Sequence, residues 1–380
     1  MAKNITYYFG AGASAQAIPV IDGLGERIDE LISKLQIYLE EYNNQDSKDK
    51  ICKHIWTHQE ALKSMIEDLK WLNKESKNHQ TVDTLARKLY VQEEVFKLKK
   101  LKRALITYFY FEQNIEFGGF NENEERNFKS KVDKRYDSLI ASICDKDDLG
   151  NVVMKNNVKI ISWNYDLQID LCLMNFSQRS LGDTKIFYNI HPNSNSYNSN
   201  EDILFGLDTF GVLKLNGNAY YDANQAFGDH LNLSLYDTNI DHSKDDEIIG
   251  KFLLCFNSKF PNGRINDDDS FKYFNFAWEK NNIEKYSGHT SVIKTALQVA
   301  SETEILIIVG YSFPFFNSKI DRMILENMSP KKIIIQDSNP KVIESRLKTL
   351  IPKFKEIISG EYYNIELVEV DKYYPIPNEI

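Results

Sequence analysis

Cysteine is scarce and scattered in this chain. Cys52, Cys144, Cys172 and Cys255 form no C-x-x-C pair, and with the histidines they make no complete four-ligand set at zinc spacing. That pattern argues against a structural zinc. It suits a reducing compartment in which each thiol serves as a small apolar core residue. Long hydrophobic runs are missing as well: nothing approaches the roughly 18 apolar residues that a membrane span needs. Met1-Ala2-Lys3-Asn4 leads straight into a strand-like segment without a secretory leader, so the expected location is the cytoplasm. Positive charge is the minority sign, with 46 Lys and Arg against 55 Asp and Glu and a formal net charge of −9. A chain so charged is not drawn to nucleic acid or membrane surfaces at long range, and direct binding to either is not expected.

What remains is ordinary globular material. Hydrophobic residues make up 42% and charged residues 27% of 380 residues, enough for two modest domains or one large domain with an insertion. Ile5 to Phe9 reads as a buried strand ending in a sharp glycine-rich turn, followed by an amphipathic helix carrying Ile28, Leu31, Ile32 and Leu35. From about Gln36 to Leu149 the pattern stays helical and highly charged, with no strand signal. Leu62, Met65, Leu69 and Leu72 form one stripe, Val82, Leu85 and Leu89 another, and Phe128, Val132, Tyr136, Leu139 and Ile143 a third. Such stripes are packing surface rather than a cofactor site. Beta-branched runs return at Val158 to Ile161, Ile186 to Ile190, Val212 to Leu215, Ile305 to Val309 and Lys332 to Gln336. Between several of them lie helical stretches at Thr290 to Ala300, Lys319 to Asn327 and Lys341 to Leu350. Alternating strands and helices, with the strands nearly all apolar, predict a doubly wound, Rossmann-like, mostly parallel α/β sheet. Residues 1–35 and 150–380 would form it, and 36–149 would be a large helical insertion.

Five strand ends carry polar groups. Gly10-Ala11-Gly12-Ala13-Ser14-Ala15 fits the G-x-G-x-x-G/A form directly after a strand, where glycines let backbone approach a pyrophosphate. The acidic residue that a dehydrogenase carries about 20 positions further on is absent, since Glu26 and Glu30 sit within the helix. Ser162-Trp163-Asn164-Tyr165-Asp166 stands at the carboxyl end of the strand Val158 to Ile161, where open α/β sheets place their ligands. An asparagine there offers a donor and an acceptor together; it equally suits an Asx turn or a helix cap. Lys214-Leu215-Asn216-Gly217, Gly310-Tyr311-Ser312-Phe313 and Gln336-Asp337-Ser338-Asn339-Pro340 end the remaining strands. Asp321 follows near the fourth motif.

In this order, and with Ile18-Pro19 after the first turn, these motifs resemble the sirtuin-like superfamily, and in particular the bacterial sirtuin-like NAD hydrolases of antiphage defence. The resemblance covers Ile5 to about Asp22 and Lys159 to about Pro340, and leaves out the helical insertion. It implies that Gly10, Ala11, Gly12 and Ser14, with Pro19, line the diphosphate of NAD. Asn164 would hold the nicotinamide-side ribose and the attacking water, with Asp166 bracing its loop. Gly310, Ser312 and Asp337 would lie on the adenosine side. Deacylating sirtuins carry a four-cysteine zinc ribbon that this chain lacks, so peptide deacylation is disfavoured and no metal is implied.

The chain departs from the family where K-L-H-G carries a histidine as general base: Asn216 occupies that catalytic position, and a carboxamide takes up no proton at neutral pH. The nearest substitute is His191, just past a strand end, with an ordinary pKa near 6.5. The expected activity is hydrolysis of NAD, as substrate, to nicotinamide and ADP-ribose. Because free NAD hydrolysis harms the host, gating is expected from a homo-oligomer or from a HerA-type ATPase, which some defence systems of this kind contain. The alternatives are a catalytically silent NAD or ADP-ribose sensor and an assembly component with a vestigial pocket.

Overall fold

The computed structural model describes residues 3–19, 23–44, 55–114, 132–192, 205–220, 245–260, 264–265, 271, 274–279, 292–355, 364–370 and 372–380. Cys52 and Phe128 lie outside them. Two compact units result: Met1–Ala17, Val132–Asn218 and Tyr273–Ile380 make the first, and Ile18–Lys131 with Ala219–Lys272 the second. In chain order the elements begin with β1 (Ile5–Phe9), α1 (Leu24–Asn44), α2 (Ile55–Ser76), α3 (Val82–Val91), α4 (Val95–Asn114) and α5 (Lys134–Ile143). Then follow β2 (Cys144–Lys146), β3 (Val152–Met154), β4 (Val158–Ser162), α6 (Gln168–Ser177), α7 (Leu181–Phe187), β5 (Ile190–His191), β6 (Gly211–Lys214) and α8 (Asp245–Lys259). The chain continues through α9 (Val292–Glu302), β7 (Ile305–Val309), α10 (Ser318–Leu325), β8 (Lys332–Asp337), α11 (Pro340–Leu350) and β9 (Ile365–Glu369).

The first unit is built on a seven-stranded sheet in the order β5-β6-β4-β1-β7-β8-β9, with every neighbouring pair parallel. Its central strands are apolar on both faces because both are covered. Tyr7 and Phe9 of β1 point into a core with Tyr136, Leu139, Ile140 and Ile143 of α5 and Ile169, Cys172 and Leu173 of α6. Tyr8, between them, points into the opposite core with Ile293, Ala296 and Val299 of α9, Ile320 and Ile324 of α10, and Ile343 and Leu347 of α11. This is an α/β Rossmann-like fold. No helix among the described residues is long and apolar enough to cross a membrane.

Several local expectations change. Residues 36–149 are divided between the units: the stripe Tyr136, Leu139 and Ile143 packs on the sheet, so α5 belongs with β1 rather than with the helices before it. A short antiparallel hairpin, β2 with β3, also falls where no strand is expected. Its turn is made locally: the Asp147 carboxylate accepts from the backbone of Leu149 and Asn151 and from the Asn151 side chain, and Gly150 takes φ 80°. Ile186 to Ile190 is not a strand. Ser180 caps α7 by accepting from the Asp183 N–H, the helix carries the chain to Phe187, and only Ile190 and His191 pair with β6. The edge strand β9, whose Ile-Glu-Leu-Val-Glu pattern is half polar, has no counterpart in the sequence reading.

Among the described residues of the second unit, the regular elements named above are the helices α1 to α4 and α8. Leu62, Met65, Leu69 and Leu72 of α2, and Val82, Leu85 and Leu89 of α3, are all buried as packing surface. A buried ion pair, Arg103 to Asp68 at 2.6 Å, joins α4 to α2, and the Arg27 guanidinium of α1 reaches Glu112 of α4 at 2.9 Å. Tyr110 of α4 stacks on Phe252 of α8 at 4.6 Å.

Candidate functional site at the carboxyl rim of the sheet

Because the strands are parallel, every strand end named above opens on one rim together with its loop, and β5 ends on the same rim. From β1 the chain goes to β4 on one side, whereas from β7 it goes to β8 on the other, so the crevice lies over β1 and β7. There the two backbones cross closely. The Gly10 N–H donates to Val309 O at 3.0 Å and the Gly12 N–H to Gly310 O at 3.0 Å. A Cβ on Gly12 would fall 2.7 Å from Gly310 Cα, and one on Gly10 would fall 2.6 Å from Gly310 O. Gly310 itself has φ 56°, which favours glycine. The glycine pattern is therefore dictated first by this crossing. After it comes a single 3-10 turn, Ala11–Ser14, and the expected amphipathic helix with Ile28, Leu31, Ile32 and Leu35, α1, belongs to the other unit.

The turn delivers Ser14 to the Asn164 loop. Asn164 Nδ2 donates to Ser14 Oγ at 3.3 Å, and Ser14 Oγ lies 3.3 Å from the Tyr136 hydroxyl. Asp166 is hydrogen-bonded to Ser14 and accepts from the Gln168 N–H at 3.0 Å. Burial raises the Asp166 pKa above the ordinary carboxylate range, against the opposing pull of Lys214 and these hydrogen bonds. Asn164 keeps 7% exposure and Ser14 2%, so Asn164 is the member of the pair better placed to meet a ligand.

The turn is braced from behind by groups that sequence reading missed. Arg135 pairs with Asp133 at 2.7 Å, both buried, and its guanidinium also donates to Gly12 O at 2.9 Å and Ala13 O at 3.3 Å. Asp133 accepts from the Gln16 N–H at 2.9 Å, and the Tyr374 hydroxyl donates to Ala13 O. No motif marks these residues, since a lone Arg at the start of a helix reads as solvated surface.

Lys214, the first residue of the third motif, is 1% exposed and anchors the Asn164 loop from β6. Its ammonium donates to the Asp166 carbonyl and lies 2.7 Å from the Asp170 carboxylate of α6. Asn216 is fully engaged as well: Nδ2 donates to Trp163 O at 2.9 Å, and Oδ1 accepts from the Ala277 N–H at 2.9 Å. At this position the carboxamide stitches two segments together.

A further buried carboxyl underlies the rim. Asp321 of α10 accepts from the Tyr8 hydroxyl at 2.6 Å, the Tyr311 hydroxyl at 2.8 Å and the Trp163 indole N–H at 3.1 Å. It thus ties together β1, the β7 loop and the β4 loop. Burial pushes its pKa up to about 7, more than the three donors pull it down. Trp163 stacks on Tyr311 with ring planes 6° apart.

His191 is placed elsewhere. It lies in β5, level with Leu213 of β6 and so with Ile161 of β4, three residues short of Asn164 along the strand direction. Two strand spacings, roughly 10 Å, also separate β5 from β4. Its Nε2 is buried without a partner among the described residues, and burial lowers its pKa to about 4. Asp337 closes a local turn by accepting from the Asn339 N–H at 2.9 Å, and exposed Ser312 gives its carbonyl to Arg346 at 2.6 Å. Pro19 belongs to the helical unit. The geometry thus joins Gly10, Gly12, Ser14, Asn164, Asp166 and Gly310 in one constellation, with Asn216 bonded at its side. No protein-family model matches the chain, and no curated protein sequence matches it.

Proposed function

We propose that the chain hydrolyses NAD to nicotinamide and ADP-ribose. The observation that carries this reading is the Ser14–Asn164 contact of 3.3 Å, which sets the glycine-rich turn beside a polar loop at the switch point of a parallel sheet. A dinucleotide laid across that crevice has its diphosphate at the turn and one ribose at Asn164. Cleavage breaks the bond between ribose C1′ and the pyridinium nitrogen, and the bonding electrons neutralise the departing nicotinamide. Water oxygen adds to C1′ and releases a proton. Because the leaving group is already cationic, the protein's task is to orient water and to stabilise positive charge developing on the ribose. With Asn216 engaged and His191 on the sheet edge, Asp166 is the acceptor for that proton: it is joined to Asn164 through Ser14, and burial makes its carboxylate more basic than an ordinary one. A role in antiphage defence, gating by a homo-oligomer and a HerA-type ATPase partner accompany this reading on the resemblance alone.

Engagement of both Asn216 side-chain atoms favours a second reading, a silent NAD or ADP-ribose sensor. Purified chain incubated with NAD separates the two. Nicotinamide and ADP-ribose appearing in equal amounts supports hydrolysis; saturable NAD binding without any release supports the sensor.

A further inference from the structure

Among the polar side chains of the rim, Asn218 stands apart. It is 0% exposed, yet among the described residues neither Nδ2 nor Oδ1 has a hydrogen-bond partner. Buried carboxamides are almost always paired, so an orphan of this kind marks a strained position or a missing occupant. Its surroundings favour an occupant. Asn218 is two residues past Asn216, which bonds to Trp163 beside Asn164. The residue between them, Gly217, turns the chain with φ 72° and bridges to Phe274. Phe274 opens an aromatic wall: it meets Tyr165 at 5.2 Å and Phe276 at 5.6 Å, and Phe276 stacks on Trp278 at 5.0 Å. Phe274, Phe276 and Trp278 are buried, whereas Tyr165, between Asn164 and Asp166, is only half-buried.

An unpaired carboxamide offers one acceptor and two donors, and its closest complement is a second carboxamide, which returns a donor and an acceptor in the same plane. An aromatic wall favours a flat ring, and more so a cationic one. We propose that Asn218 pairs with the carboxamide of the substrate's nicotinamide ring while that ring packs against the wall headed by Tyr165. The inference rests on the NAD reading above and adds to it the residue that recognises the leaving group. Asn218 is enclosed, so the ring parts the side chains around it on entry. Discrimination follows from the chemistry: NAD gains this pairing, and ADP-ribose, which lacks the ring, does not.

The test uses Asn218→Leu and Asn218→Ser in the full chain, with ADP-ribose and a carbocyclic NAD analogue that resists hydrolysis as the titrants. Wild type is expected to bind the analogue at least tenfold more tightly than ADP-ribose. Both variants should lose that margin and keep the affinity for ADP-ribose. Asn218→Leu should also melt at or above the wild-type temperature, because it removes an unsatisfied buried amide rather than a working contact. A margin unchanged in the folded variants overturns the inference and leaves the NAD reading standing. A lowered melting temperature with the margin intact overturns it equally, by making Asn218 structural. Failure of wild type to bind either titrant defeats the NAD reading itself.

Discussion

Replacing Asn164 with alanine is expected to lower NAD cleavage by about 10²–10³-fold, the usual effect of deleting one fixed dipole at a reacting centre. The fold should survive the change. The backbone N–H of Asn164 still donates to Ser162 Oγ at 3.1 Å, and Ser14 keeps the Tyr136 hydroxyl, so a single 3.3 Å side-chain bond is lost. Such a bond contributes about 1 kcal/mol. Turnover and melting temperature measured on the same preparation check both parts. Wild-type turnover in a folded Asn164→Ala protein would remove this residue from the chemistry.

The second large effect concerns stability and pH. The folded-state pKa of Asp321 is pushed up to about 7 from an ordinary value of 3.8. Between those values the folded chain keeps a proton that the unfolded chain has released. The associated stability is fully present below pH 3.8 and is lost as pH rises through 7, to an extent on the order of 4 kcal/mol. Asp321→Asn removes the titration and can keep the network: its Oδ1 accepts from Tyr8 and Trp163, and its Nδ2 donates to the Tyr311 oxygen. Denaturant unfolding of both proteins from pH 5 to 8 should show the wild type losing stability relative to the variant as pH rises. A pH-independent difference would mean that the three donors hold Asp321 ionised at its ordinary value.

Much of the sheet was legible because a strand covered on both faces cannot hide its composition. Ile305–Val309 and Val158–Ser162 are apolar almost throughout, and their polar ends announce the rim. Short or half-covered elements were not legible. Two residues of β5 cannot outweigh the helix that precedes them, and β9 mixes Glu366 and Glu369 with apolar residues because those two positions are exposed. The helix α5 reads as one more amphipathic stripe, and nothing in Tyr136, Leu139 and Ile143 says that they pack against β1, whose last residue, Phe9, precedes Lys134 at the start of α5 by 125 positions. At the site, Gly12, Asn164 and Asp166 were readable from position after a strand. Arg135, Asp133 and Tyr374 act through contacts with Gly12, Ala13 and Gln16 that are distant in sequence, which no local pattern records. The sequence reading gives the glycines a close approach to a pyrophosphate; the partner they approach in the fold is the backbone at Gly310.

The central claim is that the rim at β1, between the β4 and β7 loops, holds a dinucleotide, and melting the chain with and without ADP-ribose tests it most directly. A ligand that binds only the folded state, present at a hundred times its dissociation constant, adds about 2.7 kcal/mol. The account predicts a melting temperature that climbs with ADP-ribose concentration in wild type. A melting temperature unmoved by ADP-ribose and by NAD, each at about 1 mM where substrate sites of this kind saturate, would contradict it.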